Sequence, residues 1–174
     1  NVSFELNQSL YGSGAGEIYL ADNVTAHMEN TIVQENGSTW GMSGLAIDTA
    51  NNVQITGDKI VASGNTGSGP AVTFDIDNGT SLWVTEGITL TSNTATNVNL
   101  EDYSDEDGSA GAVFYVDDNS HVDLASLYAE NNLCYACDGG AAAIDVSGTS
   151  SFSLQNVTAL TNTAIYSYAG GLGY

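Results

Sequence analysis

Arginine is absent from this 174-residue chain, and Lys59 is the single basic side chain against 21 acidic ones, which sets the formal charge at −20. Such a surface repels nucleic-acid phosphates and anionic lipid, so binding to either is disfavoured on charge, no nucleic-acid partner is expected, and divalent cations or cationic partners become the natural counter-species. No apolar run approaches the roughly 18 residues of a spanning helix, so membrane insertion is not expected. Proline occurs once, at Pro70, and histidine twice, at His27 and His121. Cysteine occurs only in Cys134-Tyr-Ala-Cys137. That spacing would need further ligands to hold zinc and a βαβ context to work as a redox motif. Neither accompanies it, which favours a local disulfide in an oxidising compartment.

What is abundant is Gly, Ser, Thr and Asn, and with a charged fraction of 13% solubility rests on hydroxyls and amides as much as on ions. Without an initiator Met or a signal peptide, the chain from Asn1 to Tyr174 reads as a segment of a longer protein.

An internal repeat organises these residues. Glu17-Ile-Tyr-Leu20, Gly44-Leu-Ala-Ile-Asp48, Ala71-Val-Thr-Phe-Asp75, Gly111-Ala-Val-Phe114 and Ala141-Ala-Ala-Ile-Asp145 are alternating runs, each preceded by small residues. Stacking them predicts an apolar column of Leu20, Ile47, Phe74, Phe114 and Ile144. A second column is predicted at Met28, Ile55, Val84, Leu124 and Leu154, with Val53, Leu82, Val122 and Phe152 two positions earlier. A third is polar: Asn7, Asn36, Asn65, Asn93, Asn132 and Asn162, expected to occupy a left-handed turn and to form a hydrogen-bonded ladder.

Period-two alternation inside a long repeat predicts an all-β fold, a right-handed single-stranded parallel β-helix (solenoid) of about 29-residue coils. Residues 1–174 form one such segment of roughly five and a half coils, with an acidic loop inserted at 96–109. Asn1-Val-Ser-Phe-Glu-Leu-Asn7 matches Asn156-Val-Thr-Ala-Leu-Thr-Asn162 at a constant offset of 155 residues, so the chain starts and stops partway round a coil.

The strings Gly139-Gly-Ala-Ala-Ala-Ile144 and Phe4-Glu-Leu-Asn7 resemble the Gly-Gly-Ala-Ile and Phe-x-x-Asn motifs of chlamydial-type polymorphic membrane protein repeats, which belong to right-handed β-helix surface proteins. Only Phe4 keeps the Phe; the matching positions are Val33, Ala62, Leu90, Ala129 and Ala159. The resemblance implies an adhesin or a surface passenger.

Sequons occur at Asn1, Asn7, Asn23, Asn36, Asn78 and Asn156. Ladder positions are poor acceptors, which leaves Asn1, Asn23, Asn78 and Asn156 as candidates for N-linked glycans, with unmodified surface Asn as the alternative. In the inserted loop Asp102, Asp105 and Asp107, beside Glu101, Glu106 and Gly108, offer the oxygen ligands that Ca²⁺ takes, but the distal bidentate Glu of a full calcium loop is missing. A solvated acidic loop is the simpler reading, and no other cofactor is expected.

Asp48 and Asp75 are predicted to face each other on neighbouring coils in a column broken by Ala21 and Tyr115. Uronate lyases of this fold class need basic residues that the chain lacks, whereas Asp117-Asp118 and Asp75/Asp77 keep a hydrolase formally open. They read more simply as turn residues, and no nucleophile motif flanks either His. The expected role is therefore non-enzymatic: an extracellular or cell-surface structural or adhesive rod, glycosylated, associating end to end or continuing in a longer chain. A polysaccharide-binding or polysaccharide-degrading β-helix is the alternative. Ice binding is a third reading, although Thr89-Leu-Thr91, Thr94-Ala-Thr96 and Thr161-Asn-Thr163 do not recur at one coil position.

Overall fold

A computed structural model describes residues 2–5, 7–11, 13–96, 109–135, 139–165 and 172–173. Among them there is no helix; every strand pairing is parallel, and the strands stack as a β-solenoid of about four complete turns flanked by partial coils. Each turn visits three sheets. The first sheet holds Gly16–Ala21, Leu45–Ala50, Val72–Ile76, Ala112–Val116, Ala142–Val146 and Leu172–Gly173. The long sheet holds Val2–Glu5, Thr25–Met28, Thr31–Gln34, Gln54–Ser63, Ser81–Thr91, His121–Glu130 and Ser151–Leu160. The short sheet holds Gln8–Tyr11, Gly37–Trp40, Thr66–Gly67, Thr94–Thr96, Leu133–Tyr135 and Thr163–Ile165.

Gly16, Leu45, Val72, Ala112, Ala142 and Leu172 lie in register, so successive turns take 29, 27, 40, 30 and 30 residues. The surplus of the longest turn falls between Thr96 and Ser109, and the strands on either side keep their pairing. Alternate side chains point inward and form one apolar core, including Ile47, Ile55, Phe74, Leu82, Phe114, Val122 and Leu124. Phe74 and Phe114 stack face to face with centroids 4.8 Å apart, and Phe152 meets Phe114 edge-on at 5.2 Å.

The Asn column forms as expected. Asn7, Asn36, Asn65, Asn93 and Asn132 each donate both the backbone N–H and the side-chain Nδ2–H to Oδ1 of the Asn one coil further on, at 2.8–3.1 Å. The second Nδ2–H of Asn65, Asn93, Asn132 and Asn162 goes to the carbonyl of Val33, Ala62, Leu90 and Ala129 on the coil before. Those carbonyls belong to residues three positions ahead of the preceding ladder Asn, which gives the x-x-Asn spacing a physical reason. Inside the stack Asn36, Asn65, Asn93 and Asn132 are buried with their amides satisfied, as buried polar groups must be. A shorter hydroxyl ladder runs beside it: Thr80 Oγ1, Ser120 Oγ and Ser150 Oγ accept the backbone N–H of Val53, Thr80 and Ser120.

Several expected details are corrected. Asn36, Asn65, Asn93, Asn132 and Asn162 are not left-handed; the residue ahead of each of these five is, at Glu35, Gly64, Ser92, Asn131 and Thr161. Left-handed pairs do occur at the turn leaving the first sheet, at Asp22-Asn23, Asn51-Asn52, Asn78-Gly79 and Asp118-Asn119. Ile18, not Leu20, stacks on Ile47, and Leu20 lies against Thr49. Ile55 pairs with Ala26 and Leu82, whereas Met28 and Val84 flank Gly57, and Val53 precedes the strand. All these slips are by two residues, which leaves every side chain on its expected face and so is invisible to alternation.

Coil length varies at two features, of which the first creates these slips. The corner between the short and first sheets varies in length. In addition, Ser81–Thr91 carries one extra residue between Val84 and Ile88, a β-bulge against both neighbours. The corners themselves need small residues: a Cβ on Gly44 or Gly111 would land on the carbonyl oxygen of Ala71 or Ala141 in the next coil.

Replacing Asn65 with Ala leaves the backbone N–H and one side-chain N–H of Asn36 without their acceptor in the interior, while the backbone N–H of residue 65 still serves Asn93 Oδ1. With unmet buried groups costing about 1–3 kcal/mol each, Asn65→Ala is expected to lower unfolding stability by about 3 kcal/mol or more, measured by urea denaturation. A loss under 1 kcal/mol would show that the ladder is incidental.

Candidate functional site

Asn23 and Asn78 sit exposed in left-handed turns, and Asn156 is exposed on the long sheet with Nδ2 donating to Ala125 O. Asn78 donates its backbone N–H and its amide to the carboxylate of Asp77. Asn36 is buried with its amide committed to Asn65, so its sequon is closed; Asn7 is exposed, although its amide is bound to Asn36. Cys134 is buried and disulfide-bonded. Asn1, Cys137 and the calcium candidates Asp102, Asp105 and Asp107 lie outside the described residues. Among the described residues no group of three or more His, Cys, Asp or Glu is placed to hold a metal ion.

Of the carboxylates considered for hydrolysis, Asp77, Asp117 and Asp118 lie in turns as expected, whereas Asp75 is not a turn residue but sits within the strand Val72–Ile76. Asp117 O accepts the Ser120 N–H across a tight turn whose central residues, Asp118 and Asn119, are left-handed. His27 places Nδ1 2.9 Å from Thr56 Oγ1 and Nε2 3.9 Å from Asp58, but His27 and Asp58 are 54% and 40% exposed on an open sheet face. His121 Nδ1 meets Ser151 Oγ at 2.8 Å in the same manner, one coil apart. Thr66 and Thr94 stack, yet the column continues into Leu133, so no extended threonine file forms there.

On the first sheet Asp48 and Asp75 are direct neighbours, as expected, but the column is bounded by Tyr19 and Tyr115; Ala21 lies against Ala50. The Asp48 carboxyl is pushed up to about 6 by burial, by the hydrogen bond that its protonated form donates to the Glu17 carboxylate and by the Glu17 and Asp75 charges. Burial and the charges of Asp77 and Asp117 raise Asp75 as well. With one cation in the whole chain, protons or salt must relieve this strip.

The two ends of the stack form a different kind of site. Val157 and Val146 face inward, yet they are 47% and 40% exposed, whereas Leu127 and Val116 one coil inside are at 2% and 1%. Phe152 and Leu154 are likewise only half covered, as are Ile18, Leu20 and Met28 at the opposite end. The Asn ladder gives the stack a direction: from Asn7 to Asn132 each rung donates to Oδ1 of the Asn on the coil after it, and Asn162 is the last acceptor.

On the outer face of the long sheet the bulge opens a recess of about 240 Å³ lined by Trp83, Val84, Thr85, Asp123, Ala125 and Gln155. Trp83 and Asp123 are direct cross-strand neighbours. Of these residues the sequence pattern marks only Val84, and as a core position. The usable signal was the alternation itself, which turns Leu82 and Val84 inward and therefore places an indole on the solvent side.

No protein-family model matches the chain, and no curated protein or solved structure matches it. Function therefore rests on geometry.

Because the folded-state pKa of Asp48 lies above the ordinary 3.8, protonation favours the folded chain. Its contribution is complete below about 3.8 and is lost as pH rises through about 6. Tm is expected to rise between pH 7 and pH 5. Asp48→Asn should raise Tm at pH 7 and flatten that slope, measured by thermal melts across the range. An unchanged slope in the variant would locate the effect elsewhere.

Proposed function

We propose that the chain is a structural segment of an extracellular, cell-surface rod or fibre with no catalytic role of its own, and that further β-coils cover its ends. The observation that carries this reading is the continuation of the apolar columns and of the Asn ladder to both ends of the described stack. An uncovered end leaves apolar interior and strand edges in water, and either is relieved by another parallel coil. Additional chain could supply that coil; a second copy could too. The directional ladder favours the copy entering head to tail, since donors at Asn162 meet an acceptor at Asn7, whereas head-to-head contact sets like groups together. The offset of 155 residues between Asn1–Asn7 and Asn156–Asn162 supports the same register. A heterologous contact of this type does not close on itself and produces filaments.

Location outside the cell is supported by the disulfide-bonded Cys134 and by the exposed sequons Asn23, Asn78 and Asn156. The resemblance of the Gly-Gly-Ala and Phe-x-x-Asn strings to chlamydial-type polymorphic membrane protein repeats points the same way, toward surface display and adhesion. High negative charge along the sides keeps rods apart laterally while the ends still join.

Light scattering and electron microscopy of the purified chain over a range of concentrations test the reading. Linear, concentration-dependent assemblies are expected, and Val157→Lys, at an exposed position, should leave the solenoid folded but abolish them. Compact monomers of the unaltered chain at every concentration would overturn the self-stacking. Intact mass of native material before and after deglycosylation is expected to show glycan loss; no mass change would remove the glycosylated surface.

A further inference from the structure

We infer that the recess beside Trp83 is a binding site for a single neutral pyranose unit of a glycan. The inference does not rest on the rod reading; it stands on the recess alone. Three independent features converge there. The first is the bulge. Among the described residues, register shifts within a strand pairing occur only where Ser81–Thr91 meets its two neighbours, and they open the sheet face beside Trp83. The bulge is also held in shape: Gly87 adopts φ +104, Ser126 Oγ donates to Glu86 O at 2.8 Å, and any Cβ on Gly87 would collide with Ser126. Bulges cluster where a sheet must re-aim side chains for a site.

The second feature is the indole. Neighbours of Trp83 along its outward column are Thr56 and Asp123, both small and polar, so a half-buried Trp stands against the character of the face. One edge is braced by the His121 ring, with centroids 6.4 Å apart at 61°. An indole so fixed offers an apolar surface at little entropic cost, suited to the C–H face of a sugar ring.

The third is an unmet acceptor. Asp123 Oδ1 is out of contact with solvent and lacks a hydrogen-bond partner, and Gln155 and Thr85 stand on the same rim. Buried polar groups without partners are rare in native proteins and mark places where a ligand completes the bonding. Ala125 keeps the floor open. An apolar wall with an amide and a hydroxyl on the rim of a recess of about 240 Å³ suits a polyhydroxylated ring, whose hydroxyls exchange bonds with Gln155 and Thr85 and whose approach must shift the side chains over Asp123 Oδ1 before a donor reaches it. Uronates and sialylated ends are excluded by Asp123 and by the net charge. A quaternary ammonium would favour several aromatic walls, and Trp83 is the single one here.

The test is a titration of the whole chain with methyl glycosides of glucose, galactose, mannose and N-acetylglucosamine, read by the indole N–H resonance of Trp83, with tetramethylammonium and glucuronate as comparators. At least one glycoside is expected to shift that resonance saturably with Kd on the order of 1 mM, as fits one exposed ring. Trp83→Phe, which keeps an aromatic wall, identifies the resonance. Trp83→Ala, at a half-exposed site, should weaken binding of the same glycoside, read by saturation transfer to the sugar, at least tenfold. Asp123→Asn should weaken binding severalfold and at the same time raise Tm of the unliganded chain, a pairing that a merely structural Asp would not give. No shift with any glycoside up to 100 mM, a response to tetramethylammonium alone, or affinity unchanged in Trp83→Ala would each overturn the assignment.

Discussion

The vertical hydrogen bond from one asparagine to the next is the constraint to which the rest of the solenoid answers. Strand pairing alone fixes neighbouring coils only to within a slip of two residues, because such a slip restores every side chain to its own face. A buried amide admits no such freedom. Asn93 Nδ2 reaches Asn132 Oδ1 and Ala62 O together, on the coil after and the coil before, so three successive turns are locked at one point. Length differences must then be absorbed elsewhere. They appear at the corner between the short and first sheets, where the 40-residue turn places its surplus, and at the bulge in Ser81–Thr91.

This explains which parts of the fold were legible in the sequence. The ladder could be read residue by residue, since Asn is the only side chain that satisfies that position and its spacing repeats. The column from Ile47 through Phe74 and Phe114 to Ile144 was equally visible, because alternation and glycine-marked corners coincide there. At Leu20 and Ile55 the reading failed by two residues, where only alternation was available and alternation is blind to that error. The left-handed backbone was assigned to the ladder Asn when it belongs to the residue before it, since Glu35, Ser92 and Thr161 carry none of the usual left-handed signature. Of the candidate sites, the exposed turn positions Asn23 and Asn78 followed from the repeat. The recess at Trp83 did not, because it arises from a single extra residue within one strand.

A ladder of this kind also orients the molecule. Each rung donates toward the next coil, so the stack has an acceptor end and a donor end, and only a head-to-tail neighbour continues both the amides and the apolar columns. The side walls behave in the opposite manner. Asp48 and Asp75 stand on adjacent rungs with no cation between them, and their neighbours Glu17, Asp77 and Asp117 add to the repulsion. If copies stack as proposed, attraction lies along the axis and repulsion on the flanks, which is the division that a long unbundled rod requires.

Against so strict a register, the bulge between Val84 and Ile88 is costly. It interrupts pairing with the coils on both sides and leaves Gly87 at φ +104. The bulge makes up one of the two residues that the short corner removes: the offset to the coil before is 27 at Val84 and 28 at Ile88, the value the ladder keeps from Asn65 to Asn93. The core does not demand it, since Leu82 and Val84 before it and Ile88 and Leu90 after it are all buried. What the bulge does change is the outer surface, where it opens the recess between Trp83 and Gln155 and leaves Asp123 with an unanswered oxygen. Corner length alone could have set that register, as it does in the other coils; a bulge placed inside the strand has as its further product a polar opening beside an indole, which is what the proposed ligand would use.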